Sequence, residues 1–171
     1  GYSLYIGTTS SLSVVPHLFS KLPFNAEKDF APVSLLGILN TGLIANPNVS
    51  AKDAKALIAE LKAKPESVSV ATSGIGSYSH LSGVWFNDAA KVRTNLVPYN
   101  STSPYNDLLA GQVQLMFDGL PAAAGPIRGG KLKLLAITGK ERHPSFPTVP
   151  TFAEAGLPDY APIAWQGILA P

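Results

Sequence analysis

Hydrophobic and polar positions along the chain fall into short runs that alternate between strand-like and helix-like spacing. Apolar runs bounded by glycine, proline or small polar residues predict strands. These strands cover residues 2–6, 69–72, 95–99, 113–117, 131–138 and 164–169, and the nearly continuous apolar stretch 32–46 predicts two further strand pieces. Residues 2–6 are rich in aromatic and branched side chains, which predicts a buried strand. The stretch 32–46 is long enough to carry the chain from one lobe to another.

Segments with helical spacing separate these runs. Apolar residues at positions 54, 57, 58 and 61 predict a helix that starts at a capping box, residues 50–53, and ends before Pro65. A second helix is predicted from residue 77 to about residue 90, with Leu81, Val84 and Trp85 as its apolar face. Shorter helices are predicted at residues 12–19, 104–111, 121–128 and 151–156. Strands that alternate with helices in this way indicate an α/β fold with parallel sheets.

The stretch 69–81 combines a strand, a glycine turn and the start of a helix. Glycines let a ligand approach the backbone, and the first amides of a helix point outward without an internal partner. No Lys, Arg, Asp or Glu occurs between Val68 and Phe86, so an anion would meet amides, hydroxyls and one imidazole. These residues are Ser73, Gly74, Gly76, Ser77 and His80. The same pattern also fits an ordinary tight turn with Ser77 as N-cap, because a Gly-x-Gly after a strand is a weak signal.

A second hydroxyl-rich turn, Gly7-Thr8-Thr9-Ser10-Ser11, follows the first predicted strand. It fits a loop in which Ser11 caps the next helix, and it equally fits a second wall of the same anion pocket. Asp118 ends a third predicted strand. All these polar tips fall where α/β sheets bind their ligands, beyond the carboxyl ends of strands.

The amino-acid composition excludes several classes of function. The basic residues are scattered and the net charge is only +2, which argues against a nucleic-acid surface. The absence of cysteine excludes disulfides, thiolate metal sites and cysteine nucleophiles. The histidines are widely spread without acidic neighbours at helical spacing, so neither a metal site nor a cofactor is predicted. No apolar run reaches the ~20 residues of a membrane span, so no membrane insertion is predicted.

A series of short motifs follows one another in a fixed order along nearly the whole chain. They are Gly7-Thr8-Thr9, Leu22-Pro23-Phe24, Lys28-Asp29-Phe30-Ala31-Pro32-Val33, Ser73-Gly74-Ile75-Gly76-Ser77, His80-Leu81, Val97-Pro98-Tyr99, Asp107-Leu108-Leu109-Ala110-Gly111-Gln112-Val113, Met116-Phe117-Asp118, Gly130-Lys131-Leu132, Pro147-Thr148-Val149-Pro150-Thr151 and Glu154-Ala155-Gly156. Each motif is weak alone, but together they resemble the Bug-type receptors of tripartite tricarboxylate transporters.

This resemblance implies a periplasmic solute-binding protein with the type II periplasmic-binding-protein (Venus-flytrap) fold. In that α/β fold, two lobes with parallel or mixed sheets are joined by crossing strands. Residues 1–40 would form part of the first lobe, residues 41–130 the second lobe, and residues 131–171 the return segment to the hinge and the first lobe. A small organic acid, such as a di- or tricarboxylate or another acidic or aromatic acid, would be captured in the cleft and delivered to membrane transporter subunits, without an enzymatic reaction.

Carried over by position, the resemblance also implies the ligand-binding residues. They are Thr8, Thr9, Ser73, Gly74, Gly76, Ser77, His80 and Asp118. The two threonines would lie on a first-lobe loop, the loop at 73–80 would grip a carboxylate, and Asp118 would lie near the opening of the cleft. Trp165 is expected near the hinge, and Trp85 in the core of the second lobe.

The chain also departs from the family pattern. Family members begin well upstream, with a strand and a glycine-rich loop, and continue into C-terminal helices. The first lobe is therefore expected to be incomplete, and the chain to be part of a longer protein. After Tyr99 the family often has a Lys-Gly pair, whereas this chain has Asn100-Ser101, which removes a cation near the cleft.

Two other function classes stay open on the sequence alone. A serine hydrolase would use Ser73 or Ser77 with His80 and Asp118, although no Gly-x-Ser-x-Gly elbow is present. A phosphate or nucleotide binder would use the same glycine loop, which lacks the Gly-Lys-Ser/Thr ending of a P-loop.

Overall fold

The structure is a computed structural model that describes residues 3–100 and 103–171. The strands of this part are β1 (Tyr5–Thr8), β2 (Ala31–Leu39), β3 (Thr41–Ala45), β4 (Ser69–Thr72), β5 (Asn95–Pro98), β6 (Leu115–Gly119), β7 (Lys133–Ile137) and β8 (Ala164–Ala170). A π-helical segment (Thr9–Val14) precedes α1 (Val15–Leu18), and the other helices are α2 (Ala54–Ala63), α3 (Tyr78–Ala90), α4 (Tyr105–Ala110) and α5 (Leu120–Arg128). Tyr2 of the first predicted strand and Ser101, which follows Asn100, lie outside the described residues.

The strands form two sheets. The smaller sheet has three antiparallel strands in the order β1-β8-β2, and the larger sheet has five strands in the order β5-β4-β6-β3-β7. In the larger sheet, β4 is parallel to β5 and β6, whereas β3 is antiparallel to β6 and β7. The predicted α/β class is confirmed. The larger sheet is mixed, as the fold implied by the resemblance allows, because β3 enters it directly from β2 without a helical crossover and runs antiparallel to its neighbours.

The chain crosses from the smaller sheet to the larger one at Asn40, between β2 and β3. The Leu120 amide donates to the Asn40 carbonyl at 3.0 Å, which ties the crossing to the start of α5. The Thr41 amide donates to Thr138 Oγ1 at 2.9 Å, and the Thr138 amide donates to the Thr41 carbonyl at 2.8 Å. These hydrogen bonds fix the direction in which β3 leaves the crossing. The stretch 32–46 forms two strand pieces, β2 and β3, as predicted.

The larger sheet extends beyond residues 41–130, the range expected for the second lobe. β7, at Lys133–Ile137, pairs with β3 in the larger sheet, and Thr151 forms a bridge with Ile137. The larger sheet therefore includes residues that the sequence places in the return segment at 131–171. β8, at the end of that segment, lies in the smaller sheet between β1 and β2.

The core lies on both faces of the larger sheet. One face packs against α2 and α3 and contains a cluster of aromatic rings, in which Phe152 and Tyr160 have ring centroids 4.6 Å apart and Phe86 and Phe117 5.5 Å apart. The other face packs Ile44, Met116 and Leu134 against α4 and α5. The predicted half-buried alternation in residues 113–117 is therefore wrong at Met116, because helices cover both faces of β6.

Two predicted capping boxes take different forms in the structure. α2 has Asp53 as its N-cap, accepting from the Ala56 amide at 2.8 Å, while the Ser50 hydroxyl donates to Glu60 Oε2. The box at residues 50–53 is thus wrong, since the helix begins at Ala54. The second box forms its reciprocal hydrogen bonds between Thr151 and Glu154, but the segment makes turns instead of the predicted helix.

α3 buries a different face from the one its hydropathy predicts. Leu81, Val84 and Trp85 are exposed by 36%, 44% and 43%, so neither the predicted apolar face nor the core position of Trp85 is correct. The side chains that face the sheet are mostly small: Ser79, Ser82, Gly83, Phe86 and Ala90. Small residues let the helix approach the strands closely, and hydropathy does not register that requirement.

The first strand is exposed instead of buried. Leu4 and Ile6 are 67% and 60% exposed, whereas Gly7 is buried against Leu12 and Leu169. The branched and aromatic composition of this segment correctly predicts a strand. It does not predict burial, because the smaller sheet has only three strands and the described residues leave much of its surface open.

We expect Phe117→Ala to destabilise the protein by about 3–5 kcal/mol, because it removes a fully buried ring at the centre of the aromatic cluster. The free energy of unfolding in urea measures this effect. Ile75→Ala is the matched control, since Ile75 is 72% exposed and its truncation is expected to change stability by less than ~0.5 kcal/mol. Equal losses in the two variants would contradict this description of the core.

Candidate ligand-binding site between the two sheets

The loop between β4 and α3 is the centre of the candidate site. Gly74 and Gly76 have φ angles of 104° and 82°, in the left-handed region that glycine adopts without strain. Ser77 is the N-cap of α3, and its Oγ accepts from the His80 amide at 3.2 Å. The Ser73 amide donates to Ser79 Oγ at 2.9 Å, which holds the start of the loop against the helix. The predicted N-cap and glycine turn are both present.

The loop is suited to hold an anion without a charged side chain. In the described part of the chain, the amides of Gly74, Ile75 and Gly76 have no intramolecular acceptor. They lie next to the N-terminus of the thirteen-residue helix α3, which carries a partial positive charge. An anion bound here would be stabilised by amides and the helix dipole, and no ionised side chain between Val68 and Phe86 would neutralise it.

A loop from the smaller sheet contacts this loop directly. The Tyr78 amide, in the first turn of α3, donates to Ser10 Oγ at 3.0 Å. A Cβ built on Gly76 would lie 3.0 Å from Leu18 Cδ1 and 3.8 Å from the Phe19 ring, so the end of α1 and the residue after it pass close to the glycine loop. The two hydroxyl-rich turns that the sequence singles out therefore meet in the structure.

The two predicted threonines hold the first loop in place. Thr8 is the N-cap of the π-helical segment, where its Oγ1 accepts from the Ser11 amide and Ser11 Oγ accepts from the Thr8 amide. The prediction of Ser11 as N-cap is wrong, because the helical segment begins at Thr9 and Ser11 occupies the third position of a capping box. Thr9 Oγ1 accepts from the Trp165 amide at 2.8 Å and donates to the Ile163 carbonyl at 3.3 Å, which joins the loop to β8.

Asp118 lies at the same edge of the sheet as the glycine loop. β4 and β6 are parallel with Ala71 opposite Met116, so Asp118 on β6 is level with the first loop residue after β4. Its carboxylate accepts from the Tyr105 hydroxyl at 2.9 Å and from the Gly119 amide at 2.8 Å. Burial and the neighbouring Asp118 charge raise the pKa of Tyr105 far above its usual value, so Tyr105 stays protonated and keeps donating.

Three residues outside the predicted site connect the two loops and β3: Ser10, Thr41 and Tyr78. The Tyr78 hydroxyl and Thr41 Oγ1 are 2.7 Å apart, and this contact links α3 to β3 directly after the crossing. Burial raises the pKa of Tyr78, with a smaller contribution from the Asp118 charge. The sequence gave one local indication that the Tyr78 amide could bond outside its helix: Tyr78 directly follows the N-cap Ser77. Ser10 lies in the hydroxyl-rich turn that the sequence marks as a possible wall of the pocket, but nothing in the sequence pairs it with Tyr78, and Thr41 gave no signal.

His80 and Ser77 do not form a nucleophile and base pair. Ser77 Oγ accepts the capping hydrogen bond from the His80 amide and lies 3.1 Å from Ser79 Oγ. Over residues 3–100 and 103–171, the His80 imidazole makes no hydrogen bond to a serine. A serine hydrolase needs the base within hydrogen-bond reach of the hydroxyl, so the geometry gives that alternative no support.

Two cavities flank the crossing at Asn40. A cavity of about 300 Å³ is lined by Asn40, Pro121, Arg128 and His143, among others, and one of about 380 Å³ by Asn40, Thr138, Tyr160 and Ile163, among others. Neither is lined by any of the eight predicted site residues. The predicted residues lie instead in segments 8–9 and 73–80 and, for Asp118, on β6.

Among the described residues, no three His, Asp or Glu side chains are grouped so that they could hold a metal ion. Within the same ranges, no helix has the length and apolar character needed to cross a membrane.

The chain forms two sheets with helices packed on the larger one, and the strands that cross between the sheets join them. A polar loop from each sheet meets the other at the N-terminus of α3. This arrangement is a periplasmic-binding-protein fold. A family model described as the tripartite tricarboxylate transporter family receptor matches residues 1–171. The chain belongs to this receptor family, and its resemblance to the Bug-type receptors is confirmed.

Relatives and solved structures agree with this assignment. Protein BugT of Bordetella pertussis is 35% identical over 173 residues, which cover 100% of this chain and 53% of BugT. MatC from Rhodopseudomonas palustris with bound malate is 36% identical, with a TM-score of 0.87 over 98% of this chain and 57% of MatC. R. palustris Rpa4515 with adipate is 30% identical, with a TM-score of 0.92 over 100% of this chain and 57% of that one. The chain thus spans about half the length of these relatives.

We expect Thr9→Val to lower the free energy of unfolding by about 0.5–1.5 kcal/mol, because it removes the hydroxyl that bonds the Trp165 amide and the Ile163 carbonyl. Thr9→Ser keeps the hydroxyl and should retain most of this stability. Urea unfolding followed by tryptophan fluorescence measures both variants. If valine and serine behave alike, Thr9 does not join the loop to β8.

Proposed function

We propose that this protein captures a small carboxylate between its two lobes in the periplasm and delivers it to a membrane transporter. The observation that carries the proposal is the meeting of the two polar loops, in which the Tyr78 amide donates to Ser10 Oγ at 3.0 Å. A ligand held at this junction would contact both sheets at once. Binding would therefore favour the arrangement in which the lobes are close together.

The chemistry of the junction favours a carboxylate over a phosphate. Donors at the loop are backbone amides and hydroxyls, and no Lys or Arg lies between Val68 and Phe86. Highly charged phosphate groups are usually bound with Arg or Lys, whereas a carboxylate is well stabilised by amides at a helix N-terminus. A site of neutral donors also releases its ligand readily, as a transport receptor requires.

The relatives support the same ligand class. The MatC structure contains malate and the Rpa4515 structure contains adipate, and both ligands are dicarboxylates. Both proteins share the fold of this chain at 36% and 30% identity. We take a dicarboxylate or a similar small organic acid as the ligand to test first.

The eight residues selected from the sequence take two roles in this proposal. The residues that contact the carboxylate are Ser73, Gly74, Gly76, Ser77 and His80. Thr8 and Thr9 hold the first-lobe loop that closes over the ligand, and Asp118 keeps Tyr105 and the end of β6 in position beside the cleft. Ser10 and Tyr78 join this set because they connect the two loops.

Isothermal titration of the protein with malate, adipate, succinate and acetate tests the proposal. Saturable binding of at least one acid is expected, with no binding of the corresponding uncharged diamide. If the whole panel gives no heat of binding, or if inorganic phosphate competes while carboxylates do not, carboxylate capture is refuted.

The variant Ser77→Asp tests anion binding without changing the stability of α3. Aspartate is as good an N-cap as serine, so the free energy of unfolding should change little. Its negative charge would repel a bound carboxylate, and we expect the affinity to fall at least about tenfold, or about 1.4 kcal/mol. Titration calorimetry and urea unfolding of the same variant give both values.

Asp53→Ser is the matched control, because it makes the reverse exchange at the N-cap of α2, away from the junction. It should leave carboxylate affinity unchanged. Undiminished affinity in Ser77→Asp, with a stable fold, would place the ligand elsewhere.

A further inference from the structure

One buried hydroxyl beneath the glycine loop lacks a hydrogen-bond partner. Thr72 is the last residue of β4 and is fully buried. Over residues 3–100 and 103–171, its Oγ1 is the one enclosed side-chain oxygen or nitrogen that makes no hydrogen bond. Buried polar groups in proteins are nearly always paired, because an unpaired one loses its hydrogen bonds to water without replacement. An exception directly before a candidate binding loop points to a role in that loop.

The Thr72 side chain faces α3. Successive residues of a strand point to opposite faces of the sheet. Val70 belongs to the core beneath α2 and α3, and Ala71 to the core beneath α4 and α5, so Thr72 shares the face of Val70. The Tyr99 amide donates to the Thr72 carbonyl at 2.8 Å, which holds this end of β4 against β5. The hydroxyl therefore lies under the first turns of α3, where Ser79 is also buried.

Ser79 has hydrogen-bonding capacity that its present contacts do not use. Its Oγ accepts from the Ser73 amide at 2.9 Å and lies 3.1 Å from Ser77 Oγ. A hydroxyl donates one hydrogen bond and accepts two. When Ser79 donates to Ser77, the Ser79 oxygen keeps one free lone pair. Ser77 Oγ then accepts from Ser79 and from the His80 amide, and its own hydrogen is free to donate outward.

We propose that Thr72 is a positioning residue at the inner end of a chain of three hydroxyls, an inference that rests on the proposed binding of a carboxylate at the loop. The carboxylate accepts the Ser77 hydroxyl hydrogen, Ser79 donates to Ser77, and Thr72 donates to the free lone pair of Ser79. The last of these hydrogen bonds requires the first turn of α3 to move toward the end of β4 as the loop closes on the ligand. Hydrogen bonds in a chain polarise one another, so an anion at the outer end strengthens all three. Ligand binding thereby removes the cost of the unpaired Thr72 hydroxyl.

Thr72→Val tests the chain of hydroxyls, because valine has nearly the shape of threonine without its hydroxyl. Without ligand, the variant should have a higher urea midpoint than the wild type, since it lacks an unpaired buried polar group. Titration calorimetry with malate, adipate, succinate and acetate should show an affinity lowered about two- to tenfold for each acid that the wild type binds. Thr72→Ser should show the reverse pattern. It keeps the hydroxyl and therefore the affinity, but it loses a buried methyl group and therefore has a lower urea midpoint.

Thr94→Val is the matched control. Thr94 is also buried, but its Oγ1 donates to Asn87 Oδ1 at 3.0 Å. It directly precedes β5, at the end of the larger sheet opposite to the glycine loop. The variant should therefore lower the urea midpoint and leave carboxylate affinity unchanged.

The two readouts separate the role of Thr72 from carboxylate capture itself. Undiminished affinity in Thr72→Val would overturn the role of Thr72 and leave carboxylate capture intact. A lower urea midpoint of Thr72→Val without ligand would also overturn it, because the hydroxyl would then have a partner before the ligand binds. If the wild type binds none of the four acids, the proposed function fails, and the ligand-dependent role of Thr72 fails with it.

Discussion

The N-terminal half of α3 packs onto the larger sheet through small side chains, and the candidate site depends on this close contact. Ser79 and Ser82 are buried, and a Cβ built on Gly83 would lie 2.8 Å from Leu96 Cδ2. Ser79 also accepts the hydrogen bond from the Ser73 amide. The serine that allows the close approach therefore fixes the loop that would bind the anion, and larger residues here would move the helix amides away from the end of β4.

Neutral hydrogen bonds connect this helix to both sheets. Thr9 joins the first loop to β8, Ser10 joins the same loop to the Tyr78 amide, and the Tyr78 hydroxyl contacts Thr41 on β3. Each such bond contributes only about 0.5–1.5 kcal/mol, because water competes for the same groups. Breaking these few bonds therefore costs little free energy. Buried ion pairs would cost more to separate.

Local patterns predicted the elements but not the contacts between them. The helix at Ala54–Ala63 and the strand at Ala164–Ala170 followed from spacing and from flanking breakers. The buried face of α3 did not, because serine and glycine pack closely without a hydropathy signal. The contact of Ser10 with Tyr78 joins residues 68 positions apart, and no local rule relates them. The glycine turn at 73–77 was predicted because positive φ angles favour glycine and an N-cap favours serine, and both residue types are visible in the sequence.

The most direct test of carboxylate capture at this junction is a titration of the ¹⁵N-labelled protein with malate, followed through its amide chemical shifts. The largest changes should occur at the amides of Gly74, Ile75 and Gly76, with smaller changes at Thr9 and Ser10. Changes confined to Asn40, Thr138 and Tyr160 would place the ligand in the cavity beside the crossing and contradict the account.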